Sequence, residues 1–178
     1  MNSLSRRAFS SLYNYSNAAN PRVWLSVANN GDKIGDMVFE LYSDRQPAHA
    51  EHFKVMLSGN AEGKSYVGQS FQRGMPGLGV IAGRMEPENF GAFGVWNPDG
   101  DLSMRHHKRG MLTATNDGPG HNGSEFMITF NEAQYLNGSQ TVFGELVEGE
   151  SVLAEIEKHV DRHGKIADGI TISAAGEK

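Results

Sequence analysis

Glycine occupies 22 of the 178 positions, a density that reads as many tight turns and favours a β-rich fold over a helical bundle. A chain of this length suits one domain and can bury a core without disulfides or a structural metal. It has no cysteine, which excludes disulfide scaffolds, thiolate-bound zinc and thiol catalysis. No apolar run approaches the roughly 18 residues of a membrane helix, so no membrane insertion is expected. The net charge of −5 argues against a general nucleic-acid binder.

That charge is unevenly placed. Residues 1–31 carry Arg6, Arg7 and Arg22 and no acid, a net +3, while the remainder is −8. The segment also holds Ser3, Ser5, Ser10, Ser11 and Ser16. Drawn as a helix, it places Leu4, Ala8 and Leu12 on one face and Arg6, Ser10 and Asn14 on another. Basic, serine-rich, acid-free and amphipathic is the makeup of a mitochondrial targeting segment; the alternative is a plain disordered terminus. Residues 1–22 are therefore expected to be an arm, and 23–176 the domain.

Val23 to Val27 and Met37 to Leu41 read as two strands joined by the hairpin signal Asn29-Asn30-Gly31-Asp32. Pro47 opens a helix whose Ala50, Phe53, Met56 and Leu57 share one face, and Gly59 ends it. From Tyr66 to Gly110 the text is rich in Gly, Pro and Asn, which suggests short strands inside long loops. Within it Phe90, Phe93 and Trp96 are either core or an exposed aromatic patch. Met111 to Ala114, Glu125 to Phe130 and Thr141 to Val147 look like further strands. Ser151 is placed to cap a second helix holding Val152, Leu153 and Ile156, and Ile170 to Ser173 forms a last strand. Many strands with two separated helices point to a closed β-barrel or a sandwich with helical caps.

Several chemical signals fail on inspection. Gly118-Pro119-Gly120-His121-Asn122-Gly123 matches a dinucleotide fingerprint, yet the residues after it read as a strand where that site needs a helix. His159 and His163 have the i, i+4 spacing of paired metal ligands but lack an evident third ligand. His49 and His52 lie on the first helix opposite or beside its apolar face, and His106-His107 sits in a basic loop, so these read as structural or exposed. Asn14, Asn122 and Asn137 begin glycosylation acceptors that an intracellular protein never uses.

Four ordered blocks carry a more specific signal. Gly35 to Pro47 followed by Ala50-Glu51-His52-Phe53 resembles the opening of a cyclophilin, where a strand ending F-E-L-Y leads through a D-x-x-P turn into a helix with E-N-F. Tyr66 to Arg73 resembles that family's Y-x-G-x-x-F-H-R. Arg109-Gly110-Met111-Leu112 with Asn116 through Phe126 resembles G-x-L-x-M-A-N followed by N-G-S-Q-F. Leu136 to Gly144 resembles L-D-G-x-H-V-V-F-G. The resemblance spans about residues 23 to 176 and implies a mostly β fold, a closed eight-stranded antiparallel barrel capped by two α-helices.

It also implies a chemistry. An Xaa–Pro bond prefers trans only weakly, but rotation meets a barrier of roughly 18–20 kcal/mol from amide resonance. In the twisted amide the proline nitrogen regains a lone pair, which a fixed cationic donor stabilises while an apolar pocket holds the ring. No nucleophile, metal or cofactor is needed. Arg73 matches the family's catalytic arginine, Asn116 the asparagine whose backbone grips the substrate, and Leu136 a leucine of the proline pocket. Other positions depart. Leu78 and Gly79 stand where phenylalanine and methionine are expected, and Met127 replaces the second pocket phenylalanine. Ile81 replaces the glutamine that orients the arginine, and isoleucine makes no hydrogen bond. Thr115, Tyr135 and Gln140 replace alanine, tryptophan and histidine, and Gln72 and Glu125 replace histidine and glutamine.

The expected substrate-contacting set is thus Leu78, Ile81, Thr115, Asn116, Met127, Tyr135, Leu136 and Gln140 around Arg73, with no metal. The first functional expectation is a mitochondrial isomerase acting on proline-containing segments, its turnover weakened or lost through these departures. The second is a non-catalytic binder of such segments. The third is a non-catalytic structural subunit of a multi-subunit mitochondrial complex, anchored by its arm.

Overall fold

The computed structural model describes residues 13–60, 62–86 and 88–178. Its elements run β1 (Arg22–Asn29), β2 (Asp32–Leu41), α1 (Pro47–Ser58), β3 (Phe71–Met75), β4 (Gly79–Ala82), β5 (Met111–Asn116) and β6 (Asn122–Thr129). After a 3-10 turn at Gln134–Leu136 come β7 (Thr141–Glu148), α2 (Glu150–Lys158) and β8 (Ile170–Glu177). The strands form one antiparallel sheet in the order β3-β4-β6-β5-β7-β2-β1-β8. Its two ends approach where Ser70 bridges Thr171, so the barrel is nearly closed.

The β1–β2 hairpin turns on Asn30 and Gly31, both with positive φ (49° and 89°). Two left-handed residues match the natural twist of paired strands, which is why asparagine and glycine stand there. Side chains alternate inward and outward along each strand. Val23, Leu25, Val27, Met37, Phe39, Leu41, Val80, Leu112, Phe126 and Ile128 point into one continuous core. α1 covers it with Phe53, Met56 and Leu57, and the Phe53 ring meets Tyr66, Phe126 and Phe143 at centroid distances of 5.2, 5.1 and 5.4 Å. α2 brings Val152, Leu153 and Ile156 to the same core and packs on β2.

Several boundaries and environments differ from the sequence reading. α2 begins at Glu150 with Gly149, not Ser151, as its N-cap. Gly149 has φ of 96°, and a Cβ there would lie 2.3 Å from the Asp36 carbonyl oxygen, so close approach to β2 selects glycine over a capping hydroxyl. β8 extends past Ser173 to Glu177 because its Ala174-Ala175-Gly176 stretch pairs with β1. His49 and His52 are buried, and so is His106, which hydrogen-bonds Asn137 and Thr113 rather than sitting in solvent with the basic loop. Phe93 is exposed, whereas Phe90 and Trp96 are half-buried and meet edge to face at 5.3 Å.

Residues 13–21 lie against the barrel. The buried Glu40 carboxylate accepts hydrogen bonds from Ser16 Oγ (2.8 Å), the Asn17 N–H (2.7 Å) and Asn20 Nδ2 (3.1 Å). The Tyr15 ring packs edge-on against Tyr42 at 5.7 Å, with the Arg45 guanidinium over its face at 5.4 Å. A buried carboxylate is tolerable only when donors surround it, so this contact holds the segment in place. The targeting helix expected around Leu4, Ala8 and Leu12 lies outside the described residues.

Candidate functional site

One cross-strand row builds the site. Arg73 on β3 stands opposite Ile81 on β4, Ile81 opposite Met127 on β6, and Met127 opposite Thr113 on β5. Their neighbours Val80, Ala82, Phe126 and Ile128 point into the barrel core. Strand alternation therefore turns the Arg73 row to the outer face. There Ile81 and Met127 join Leu78, Leu136 and Ala133 in a separate apolar cluster, at 1, 1, 7, 6 and 0% exposure for Ile81, Met127, Leu136, Leu78 and Ala133 respectively. Leu78 is held at the tip of the β3–β4 hairpin, its carbonyl accepting the Phe130 N–H at 2.7 Å. The 3-10 turn brings Leu136 over the cluster.

Leu78, Met127 and Leu136 occupy positions that the resemblance assigns to a proline pocket, and Gly79 stands where a methionine side chain is expected. In the fold these side chains pack on one another. A Cβ on Gly79 would lie 2.9 Å from Met127 Cγ and 2.7 Å from the Ile128 carbonyl oxygen. The volume that a larger residue would need at position 79 is therefore taken by the Ile128 carbonyl and the Met127 side chain together.

Beside this cluster Arg73 extends toward solvent, with 61% of its side chain exposed. Its Nη2 donates to Glu125 Oε1 at 3.1 Å, and the Thr115 hydroxyl donates to the same oxygen at 2.7 Å. Glu125 is only 5% exposed. Its other oxygen, Oε2, lies 3.8 Å from Arg84 Nη1, and Arg84 is also paired with Asp117 at 3.4 Å. A buried carboxylate needs such cations and donors to offset its lost hydration. In the sequence Glu125 reads as the start of a strand and as a departure from a glutamine, with no partner assigned. Its signal was an acid directly before the apolar Phe126-Met127-Ile128 in a strand, where an unpartnered buried charge is not tolerated.

The remaining expected positions border the same face. Asn116, at the end of β5, donates from Nδ2 to the Ser139 carbonyl at 2.7 Å. Gln140 follows, its N–H bonded to the Leu136 carbonyl at 3.1 Å. Gln140 Oε1 is buried and has no hydrogen-bond partner among the described residues. Tyr135 is 67% exposed and stands outside the cluster that its neighbour Leu136 enters. Thr115 is buried and its hydroxyl is committed to Glu125.

Behind β6, His49, His52, Tyr66, Ser124, Phe126 and Phe143 line a cavity of about 10 Å³. Burial pushes both histidines down to about 4, and for His52 the adjacent His49 adds to the effect. Among the described residues no group of three or more His, Cys, Asp or Glu side chains could hold a metal ion.

Sequence comparison agrees with this architecture: the family model described as Cyclophilin type peptidyl-prolyl cis-trans isomerase/CLD matches residues 25–177. The match covers every strand and both helices apart from the first residues of β1. The chain therefore belongs to the cyclophilin-type peptidyl-prolyl cis-trans isomerase family.

Proposed function

We propose that this protein is a mitochondrial peptidyl-prolyl isomerase of low turnover, with Arg73 as its electrostatic catalyst. The carrying observation is the placement of an exposed guanidinium beside an apolar cluster on the outer face of β3, β4 and β6. A cation fixed there stabilises the lone pair that develops on the proline nitrogen as the amide twists. Asn116 and Gln140 border the groove in which a proline-containing segment would lie, and Leu78, Ile81, Met127 and Leu136 form its apolar floor. Low turnover follows from that floor. Its side chains are almost wholly withdrawn from water, so a proline ring must displace their mutual packing to be gripped. Uncatalysed isomerisation of an Xaa–Pro bond takes tens of seconds or more, so two-dimensional NMR exchange on an Ala-Pro peptide reads catalysis directly. Arg73→Lys keeps the charge but loses the planar fork, and on this reading it retains only a fraction of the parent rate.

A second reading is favoured by the same sealed floor and by the clasp of residues 13–21 on Glu40. In it the barrel is a non-catalytic structural subunit of a mitochondrial assembly. A third, a non-catalytic binder, predicts peptide shifts at Leu136 and Asn116 without exchange. The mitochondrial placement rests on the +3, acid-free, serine-rich composition of residues 1–31. Uptake of the full chain by isolated mitochondria, abolished by replacing Arg6 and Arg7, tests it.

A further inference from the structure

We propose that Glu125 is the positioning residue for Arg73, taking over an orienting role that Ile81 cannot perform. The inference rests on the reading of Arg73 as the catalytic group. Ile81 sits directly opposite Arg73 in the β3–β4 pairing, yet it carries no polar atom and is turned into the apolar cluster. The guanidinium finds its partner one strand further on, at Glu125 Oε1.

Glu125 is itself held from three directions. The Asn89 side-chain oxygen accepts the Glu125 backbone N–H at 3.2 Å, which fixes the start of the side chain. The Thr115 hydroxyl donates to Oε1, and Arg84 stands on the Oε2 side. A carboxylate satisfies all of these neighbours at once, because each of its oxygens accepts. A carboxamide can keep its oxygen on Arg73 and Thr115 only by turning its NH₂ toward Arg84. The buried anchor and the exposed cation together place a fixed positive fork at the edge of the groove, where a freely rotating arginine would spread its charge over many positions.

The test uses the full chain and its Glu125→Ala, Glu125→Gln and Thr115→Val variants, with two readouts. The first is the ¹⁵N order parameter of the Arg73 Nε–Hε group, which needs no turnover. It is high in the parent, falls in Glu125→Ala, and is retained in Glu125→Gln. The second is exchange on an Ala-Pro peptide: Glu125→Ala loses about 10- to 100-fold in rate with unchanged peptide affinity, and Glu125→Gln recovers most of it. Thr115→Val removes one donor from the same oxygen and gives a smaller loss of both readouts, which keeps the test open if Glu125→Ala does not fold. An Arg73 order parameter equal in the parent and in Glu125→Ala or Thr115→Val overturns the proposal, as does full exchange without the Glu125 side chain. If no chain catalyses exchange, the catalytic reading of Arg73 fails, and the order parameter alone decides whether Glu125 positions it.

Discussion

Gly79 and Met127 crowd one volume: a Cβ on Gly79 would stand 2.9 Å from Met127 Cγ and 2.7 Å from the Ile128 carbonyl oxygen. The pair lies at the apolar cluster on the outer face of the barrel, where Met127 packs with Leu78, Ile81 and Leu136.

This relationship is testable by a double-mutant cycle. Gly79→Ala is expected to cost about 1–3 kcal/mol by overpacking against Met127 and the Ile128 carbonyl. Met127→Ala alone is expected to cost about 2–5 kcal/mol through the cavity it leaves. Together they should cost less than their sum, because truncating Met127 relieves part of the clash. Urea unfolding reads all three, and strict additivity contradicts the shared volume.

The buried histidines predict a direction of pH dependence. His49 and His52 each drop to about 4 in the folded chain because burial penalises the imidazolium, while an unfolded histidine titrates near about 6.5. Between those values the unfolded state binds more protons. Stability is therefore complete above about pH 6.5 and declines as the pH falls toward 4, by a total of about a few kcal/mol. His106 and His107, also lowered chiefly by burial, act in the same sense. A urea midpoint that stays flat from pH 7.5 to 4.5 contradicts this.

The clasp on Glu40 predicts that residues 13–21 contribute to stability. Deleting residues 1–21 strips a buried carboxylate of its Ser16, Asn17 and Asn20 donors. A loss of about 1–3 kcal/mol or more is expected. Ser16→Ala, which removes one of the three, should cost less. Thermal melts compare the two, and an unchanged midpoint in the deletion contradicts the clasp.

Much of the barrel was legible in the sequence because local signals and tertiary packing agree there. Asn30-Gly31 sits where the hairpin turns, Pro47 opens α1, and the alternation in Val23 to Val27 matches the face that meets the core. Legibility failed where a distant strand decides the outcome. Gly149 caps α2 because of the Asp36 carbonyl, and β8 runs on through Ala174 to Glu177 because β1 is its template. At the candidate site, the motif positions nominate Arg73 and the apolar set, and the fold brings them to one face; the closing of that set on itself could not be read from the sequence. Nor could the sequence pair Glu125 with Arg73 across 52 positions, since an acid in a strand announces only that some partner exists.

The measurement closest to the central claim is NMR exchange on an Ala-Pro peptide with the full chain and with Arg73→Ala. The account predicts exchange faster than the uncatalysed rate and a loss of up to about 10²–10³ in the variant, the scale of removing one preorganised donor. Exchange at the uncatalysed rate in a folded parent, or a rate unaffected by Arg73→Ala, would contradict it.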